Sequence, residues 1–142
     1  IEKAIFPVGF YPTKAKYILK TCKALIENYD GKVPDSMEEL TKLHGIGKKC
    51  GAITLTYGFN KSDYIAVDVH VQIISNRLGW VKTKHPDKTM EKLMEIIPKK
   101  YWHDINDLLV RHGQNICVTN SPFCSKCSIR RYCPRIGVKR SR

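Results

Sequence analysis

The sequence predicts an all-α fold, and three observations carry that prediction. Apolar residues recur at three- and four-residue spacing in one segment after another. Residues that start and stop helices stand at the ends of those segments. No run alternates with a period of two long enough to compete as a strand; Tyr64–Val67 is too short.

Segment 14–30 (KAKYILKTCKALIENYD) sets Ala15, Ile18, Leu19, Cys22, Leu25, Ile26 and Tyr29 on one stripe, with Thr13 as its expected cap and Gly31 as its end. Ser36 and Glu39 form a capping box ahead of Leu40 and Leu43. A short apolar helix is expected over 48–58, closed by Gly58. Asp68 opens the next, with Val71, Ile74 and Leu78 on one face. Pro86 sits in the first turn of a helix carrying Met90, Leu93, Met94 and Ile97, which Pro98 stops. Segment 101–117 carries Trp102, Ile105, Leu108, Leu109 and Ile116. The basic tail beyond Cys133, with Lys139, Arg140 and Arg142, is expected to fray. We read 1–79 and 80–142 as two parts, the first holding the hairpin described below and the second the cysteine segment.

Composition narrows the function. Lys and Arg number 25 against 13 acidic residues, a net charge of +12 over 142 residues. Such an excess points to a polyanionic partner, and nucleic acid is the commonest. No stretch is apolar enough to span a membrane, and no helix is uniformly basic on one face. Four of the six cysteines fall between 117 and 133, a clustering that favours a metal or cluster site in a reducing compartment over a disulfide framework. The chain opens at Ile1 on apolar residues, which reads as the middle of a protein with an N-terminal piece before it.

Residues 43–52 read LHGIGKKCGA between two expected helices. Glycines on either side of Ile46 allow a tight turn with positive φ and close backbone approach. The turn runs straight into a helix, whose first N–H groups point outward and suit a phosphate without reading sequence. Gly45, Gly47 and Lys48 would then face DNA, while Ile46 plugs the hairpin into the core. An ordinary interhelical turn has the same pattern, and the net charge shifts the balance toward DNA.

This segment resembles the helix-hairpin-helix of the endonuclease III family, whose usual form is LPGVGxKTA. The likeness continues through IAVDVHV (65–71), against VDTHV in the family, and FPVGFYPTKAKYI (6–18), against GLYxxKA. Here His44 stands in place of the proline, Cys50 in place of a threonine, and Val69 in place of the threonine after the aspartate. The resemblance implies a helix-hairpin-helix DNA glycosylase fold and base excision on double-stranded DNA carrying damaged bases or abasic sites. It implies a monomer working inside the cell with the genomic DNA, in a prokaryotic cytoplasm or a eukaryotic nucleus or mitochondrion. It makes Lys49 the nucleophile and Asp68 its assisting carboxylate. It places His70 near the damaged base and Phe10 in the duplex beside the extruded nucleotide, an insertion that offsets the cost of flipping. It also implies helices before Ile1 that complete the helical barrel, and without them apolar surface on the 14–30 helix is exposed.

Lysine and aspartate suit that reaction. A neutral amine displaces the base from C1′ and forms a Schiff base with the opened sugar. The imine acidifies the C2′ proton, and β-elimination cuts the strand on the 3′ side. A free lysine titrates near about 10.4. A helix N-terminus disfavours the cation by only about 0.3–1 kcal/mol, so desolvation has to supply most of the shift. Lys49 is therefore expected to be largely buried and Lys48 exposed. Asp68 reads first as an N-cap, which keeps a carboxylate ionised and able to accept a proton or face positive charge on the sugar.

Cys117, Cys124, Cys127 and Cys133 follow C-x6-C-x2-C-x5-C. By chemistry alone four thiolates fit a [4Fe–4S] cluster or zinc. The spacing equals that of the endonuclease III cluster loop, and that resemblance implies [4Fe–4S]. The intervening VTNSPF loop carries no basic residue, so less DNA contact is expected from it; Lys126, Arg130 and Arg131 are candidates for phosphate contacts. Cys22 and Cys50 are left over and read as core thiols. Other readings stand beside this one: a non-catalytic helix-hairpin-helix DNA-binding module, a zinc-binding structural domain, and an adenine-type glycosylase of the same fold. That last type lacks the nucleophilic lysine and has an extra C-terminal domain.

Overall fold

The computed structural model describes residues 1–142. Every regular element is helical: α1 (Glu2–Ile5), α2 (Tyr11–Tyr29), α3 (Met37–Lys42), α4 (Lys48–Ile53), α5 (Val69–Arg77), α6 (Pro86–Ile96) and α7 (Trp102–Asn115). A π-helical turn, Thr54–Gly58, continues α4, and short 3-10 turns sit at Lys99–Tyr101, Cys124–Lys126 and Arg130–Tyr132. None of these helices is long and apolar enough to cross a membrane. The chain divides into two compact units, Ile1–Phe59 and Asn60–Arg142, so the boundary read after residue 79 lies inside the second.

In the first unit the core is small: Ala15, Leu40, Leu43, Ala52 and Leu55. Helix α2 starts earlier than expected. Phe10 is its N-cap residue and makes no side-chain cap, and Pro12 and Thr13 lie in its first turn. At its other end Gly31, with φ of 72°, donates its N–H to Leu25 O, so the chain leaves the helix through a left-handed residue as foreseen. Of the apolar stripe only Ala15 is fully buried. Leu25 and Tyr29 are half-buried, while Ile18, Leu19, Cys22 and Ile26 are exposed. Ser36 caps α3 through Glu39 N–H at 3.3 Å. The reciprocal half of the box is replaced: Glu39 accepts instead from Tyr29 Oη at 2.7 Å and pairs with Lys42. Those partners hold the Glu39 carboxyl below the usual carboxylate range, Lys42 first and Tyr29 second.

The second unit has the larger core. Ile65, Ala66 and Val67 lead into α5, whose Val71, Ile74 and Ser75 are fully buried with Met90 and Leu93 of α6 and Ile105 and Leu109 of α7. Leu108, one residue along the helix from Leu109, is turned outward to 60% exposure. Thr89 is buried without penalty because its hydroxyl bonds His85 O at 3.0 Å and Thr83 Oγ1 at 2.7 Å. The tail does not fray. Ile136 N–H donates to Arg77 O at 3.1 Å; Arg142 N–H donates to Pro122 O at 2.8 Å, and Ser125 N–H to Arg142 O at 2.9 Å. Its guanidinium lies 3.9 Å from the centre of the Phe123 ring. A basic tail was expected to fray, but here Arg142 has the Phe123 ring face and the Ser121 and Pro122 carbonyls to bind.

Candidate functional site

In the first unit the hairpin runs from Leu43 to Lys48. Ile46 N–H donates to Leu43 O at 3.2 Å, closing the turn, and Gly47 is the N-cap of α4. Thr21 Oγ1 donates to His44 O at 2.8 Å and ties the turn to α2. Gly45 has φ of 78°, and a Cβ there would stand 2.6 Å from Tyr17 Cδ2 and 3.0 Å from Tyr17 Cβ. The near end of a ring cannot swing aside, so both backbone and packing require glycine. At Gly47 a Cβ would meet nothing within 4 Å. Gly45→Ala should therefore cost about 2–4 kcal/mol from strain and overpacking, and Gly47→Ala no more than about 1 kcal/mol, measured by denaturant unfolding.

Lys48 and Lys49 both lie in the first turn of α4, and both are exposed. Burial of Lys49 was expected and is not found. The covered face of this helix is made by Gly51 and Ala52, and a Cβ at Gly51 would stand 2.7 Å from Met37 Sδ. The first turn projects beyond that contact, so the dry surroundings an amine nucleophile needs are not made by this unit itself. Cys22 and Cys50, read as core thiols, are exposed for related reasons: Cys50 shares the α4 first turn and Cys22 the open face of α2. Phe10 is 85% exposed and holds φ of 59°, a left-handed conformation uncommon for a bulky residue. Phe10 is thus no part of the core.

In the second unit Asp68 is the N-cap of α5, its Oδ1 accepting from Val71 N–H at 2.9 Å. His70, half-buried, packs on α7: a Cβ on the buried Gly113 would stand 2.5 Å from His70 Nδ1. One edge of that imidazole is thus committed to the α5–α7 crossing. Cys117, Cys124, Cys127 and Cys133 line one cavity, none is disulfide-bonded, and apolar Ile74, Leu78, Ile116, Phe123, Ile129 and Val138 form its walls. Burial pushes the Cys117 thiol up, and the Arg77 guanidinium, 3.2 Å from its Sγ, pulls it back. His112 Nε2 stands 3.7 Å from Cys127 Sγ, and burial lowers its pKa.

Residues 1–99 match the model of the HhH-GPD superfamily, described as base excision DNA repair proteins. The chain belongs to that superfamily. Within it, the endonuclease III of Thermotoga maritima is 46% identical over 125 residues, 88% of this chain and 58% of that protein. The endonuclease III-like protein 1 of Gallus gallus is 42% identical over 136 residues, 94% of this chain and 48% of that one. The chain therefore spans about half the length of these curated relatives. Among solved structures, a trapped endonuclease III–DNA covalent intermediate, an estranged-adenine complex, superposes with a TM-score of 0.87 at 35% identity over 94% of this chain and 63% of its own. A thermostable thymine-DNA glycosylase, 24% identical with a TM-score of 0.79, shares the fold.

The HhH-GPD match ends at residue 99, before the cysteines, yet the structural likeness covers 94% of the chain. Two residues around the cysteines escaped the sequence reading. Neither Arg77 nor His112 was singled out there. Only the fold brings them to the cysteine cavity, across 40 and 15 positions of chain. No sequence spacing signals either.

Proposed function

We propose that this chain carries the reactive part of a bifunctional base-excision DNA glycosylase that removes oxidised pyrimidines and cuts the resulting abasic site by β-elimination. The observation that carries this reading is the exposed GIGKK turn at the head of α4, with Gly45 seated on Tyr17. Backbone N–H groups at that helix start, with Lys48 beside them, suit a DNA phosphate. Lys49, one residue on, supplies the amine. Its exposure means that bound DNA must exclude the water, which fits a nucleophile that acts only on an extruded sugar. Asp68 supplies a carboxylate held at a helix start, suited to accept a proton and to face positive charge on the sugar. Phe10, exposed at the head of α2, suits a wedge that enters the stack. His70 stands in the turn after Asp68 as a neighbour for the flipped base.

The cysteine site fits a [4Fe–4S] cluster. The four cysteines line one cavity, which can receive a cluster ligated by one thiolate at each iron, and their C-x6-C-x2-C-x5-C spacing favours the cluster over zinc. The bound cluster would supply cross-links to a segment whose own secondary structure is two single 3-10 turns.

The test is borohydride trapping on duplex DNA with an abasic or thymine-glycol site. A covalent protein–DNA adduct is expected; binding without an adduct would favour the non-catalytic docking module. Gly47→Ala, which the fold tolerates, should weaken DNA binding about tenfold by filling the space the phosphate backbone approaches, a change of about 1.4 kcal/mol. Fluorescence anisotropy against unmodified duplex measures it.

A further inference from the structure

Arg77, in the last turn of α5, grips both ends of the cysteine segment. Its Nη1 donates to Cys117 Sγ at 3.2 Å, Cys117 O at 3.1 Å and Val118 O at 2.9 Å, and its Nη2 donates to Thr119 O at 2.6 Å. The carbonyl of the same residue accepts from Ile136 N–H at 3.1 Å, three residues beyond Cys133. The first cysteine and the chain just past the last one thus converge on one residue of a helix whose Ile74 is fully buried. Arg77 also lines the cysteine cavity.

We propose that Arg77 is the positioning residue of the four-thiolate site, orienting Cys117 through its guanidinium and the Cys133 end through its carbonyl. This rests on reading the cysteines as metal ligands. A planar fork can serve a sulfur and three loop carbonyls at once, and its charge stays on at all relevant pH; lysine has the charge without the fork. Hydrogen bonding from a cation to a ligand sulfur stabilises the more negative state of whatever that sulfur binds, so it also favours reduction of a cluster. The inward contacts set this arginine apart from Lys126, Arg130 and Arg131, whose side chains are exposed.

The experiment uses the full chain reconstituted anaerobically with iron and sulfide, as wild type, Arg77→Lys and Arg77→Ala. Iron release to a chelator and the reduction potential are read, together with visible absorbance. Release from Arg77→Ala should be about 10–100-fold faster than from wild type, the usual effect of losing an outer-shell partner, and its potential should move to more negative values. Arg77→Lys should release iron as readily as Arg77→Ala while keeping a potential nearer wild type; it also carries the test should Arg77→Ala fail to fold. Unchanged release and potential in both variants overturn the proposal. A wild type that takes up zinc and no iron removes the cluster reading alone, and zinc release from the same variants then decides the role of Arg77. A chain that binds neither metal overturns both.

Discussion

Replacing Lys49 with alanine should abolish the borohydride-trapped adduct and lower cleavage at an abasic site by about 10³-fold or more, the scale on which removal of a nucleophile acts. Strand cutting by β-elimination needs an imine at C1′, and an imine needs an amine; water in its place can release the base but leaves the strand intact. Lys48 is the control, because it shares the same exposed first turn of α4. Lys48→Ala should keep the adduct while lowering the salt dependence of DNA binding by about 0.9 in logarithmic slope, the signature of one lost phosphate contact. Since both lysines are equally reachable from solvent, a swap of these two outcomes would move the nucleophile to Lys48. An adduct that survives in both variants would remove the hairpin lysines from the chemistry altogether. Asp68→Asn preserves an acceptor for Val71 N–H and so should leave α5 folded while slowing both steps. If it unfolds the second unit instead, the carboxylate is there as a cap.

The helices were legible in the sequence because their determinants are local. Asp68 and Ser36 cap where a short oxygen-bearing side chain precedes an apolar run, and Pro86 starts α6 where its missing N–H does no harm. What local pattern does not contain is which side of a helix another element covers. Ile18, Leu19 and Ile26 carry the periodicity of a buried stripe and are exposed, and Lys49 has the neighbours of a catalytic amine without burial. The π turn at Thr54–Gly58 was equally hidden, since TLTYG differs from a helical continuation only in the bond it makes to the preceding turn. At the cysteine site, spacing picked out the four cysteines that line one cavity, but Arg77 reaches Cys117 Sγ, and Arg142 the Ser121 and Pro122 carbonyls, through contacts that no spacing encodes. The tail was expected to fray because charge was weighed and the Phe123 ring was not.

Loss of a single ligand should be the most destabilising change available to the second unit. Cys127→Ser is expected to bleach the visible absorbance, and to make the segment after Ile116 the first place that a protease cuts. The reason is the thinness of what else holds that segment. Its elements are two three-residue 3-10 turns, its carbonyls depend on Arg77 and Arg142, and its apolar side chains wall the cavity the cysteines share. Such a segment buries too little surface to offset the entropy of ordering its chain, about 1–2 kcal/mol for each residue's backbone. On the proposed cluster reading, metal–thiolate bonds would make up the difference; in small zinc domains they contribute roughly 10–16 kcal/mol. Chelation of the wild type should reproduce the Cys127→Ser pattern, with melting of the rest of the second unit shifted less, because Ile65, Val71, Ile74 and Leu93 form a core that does not require the metal. Cys22→Ser and Cys50→Ser should each stay within about 0.5 kcal/mol of wild type, as exposed substitutions do. Were Cys127→Ser as protease-resistant and as thermally stable as those two, the four cysteines would not be the cross-link of this segment, and the strap of Arg142 across Pro122 and Phe123 would have to hold it alone.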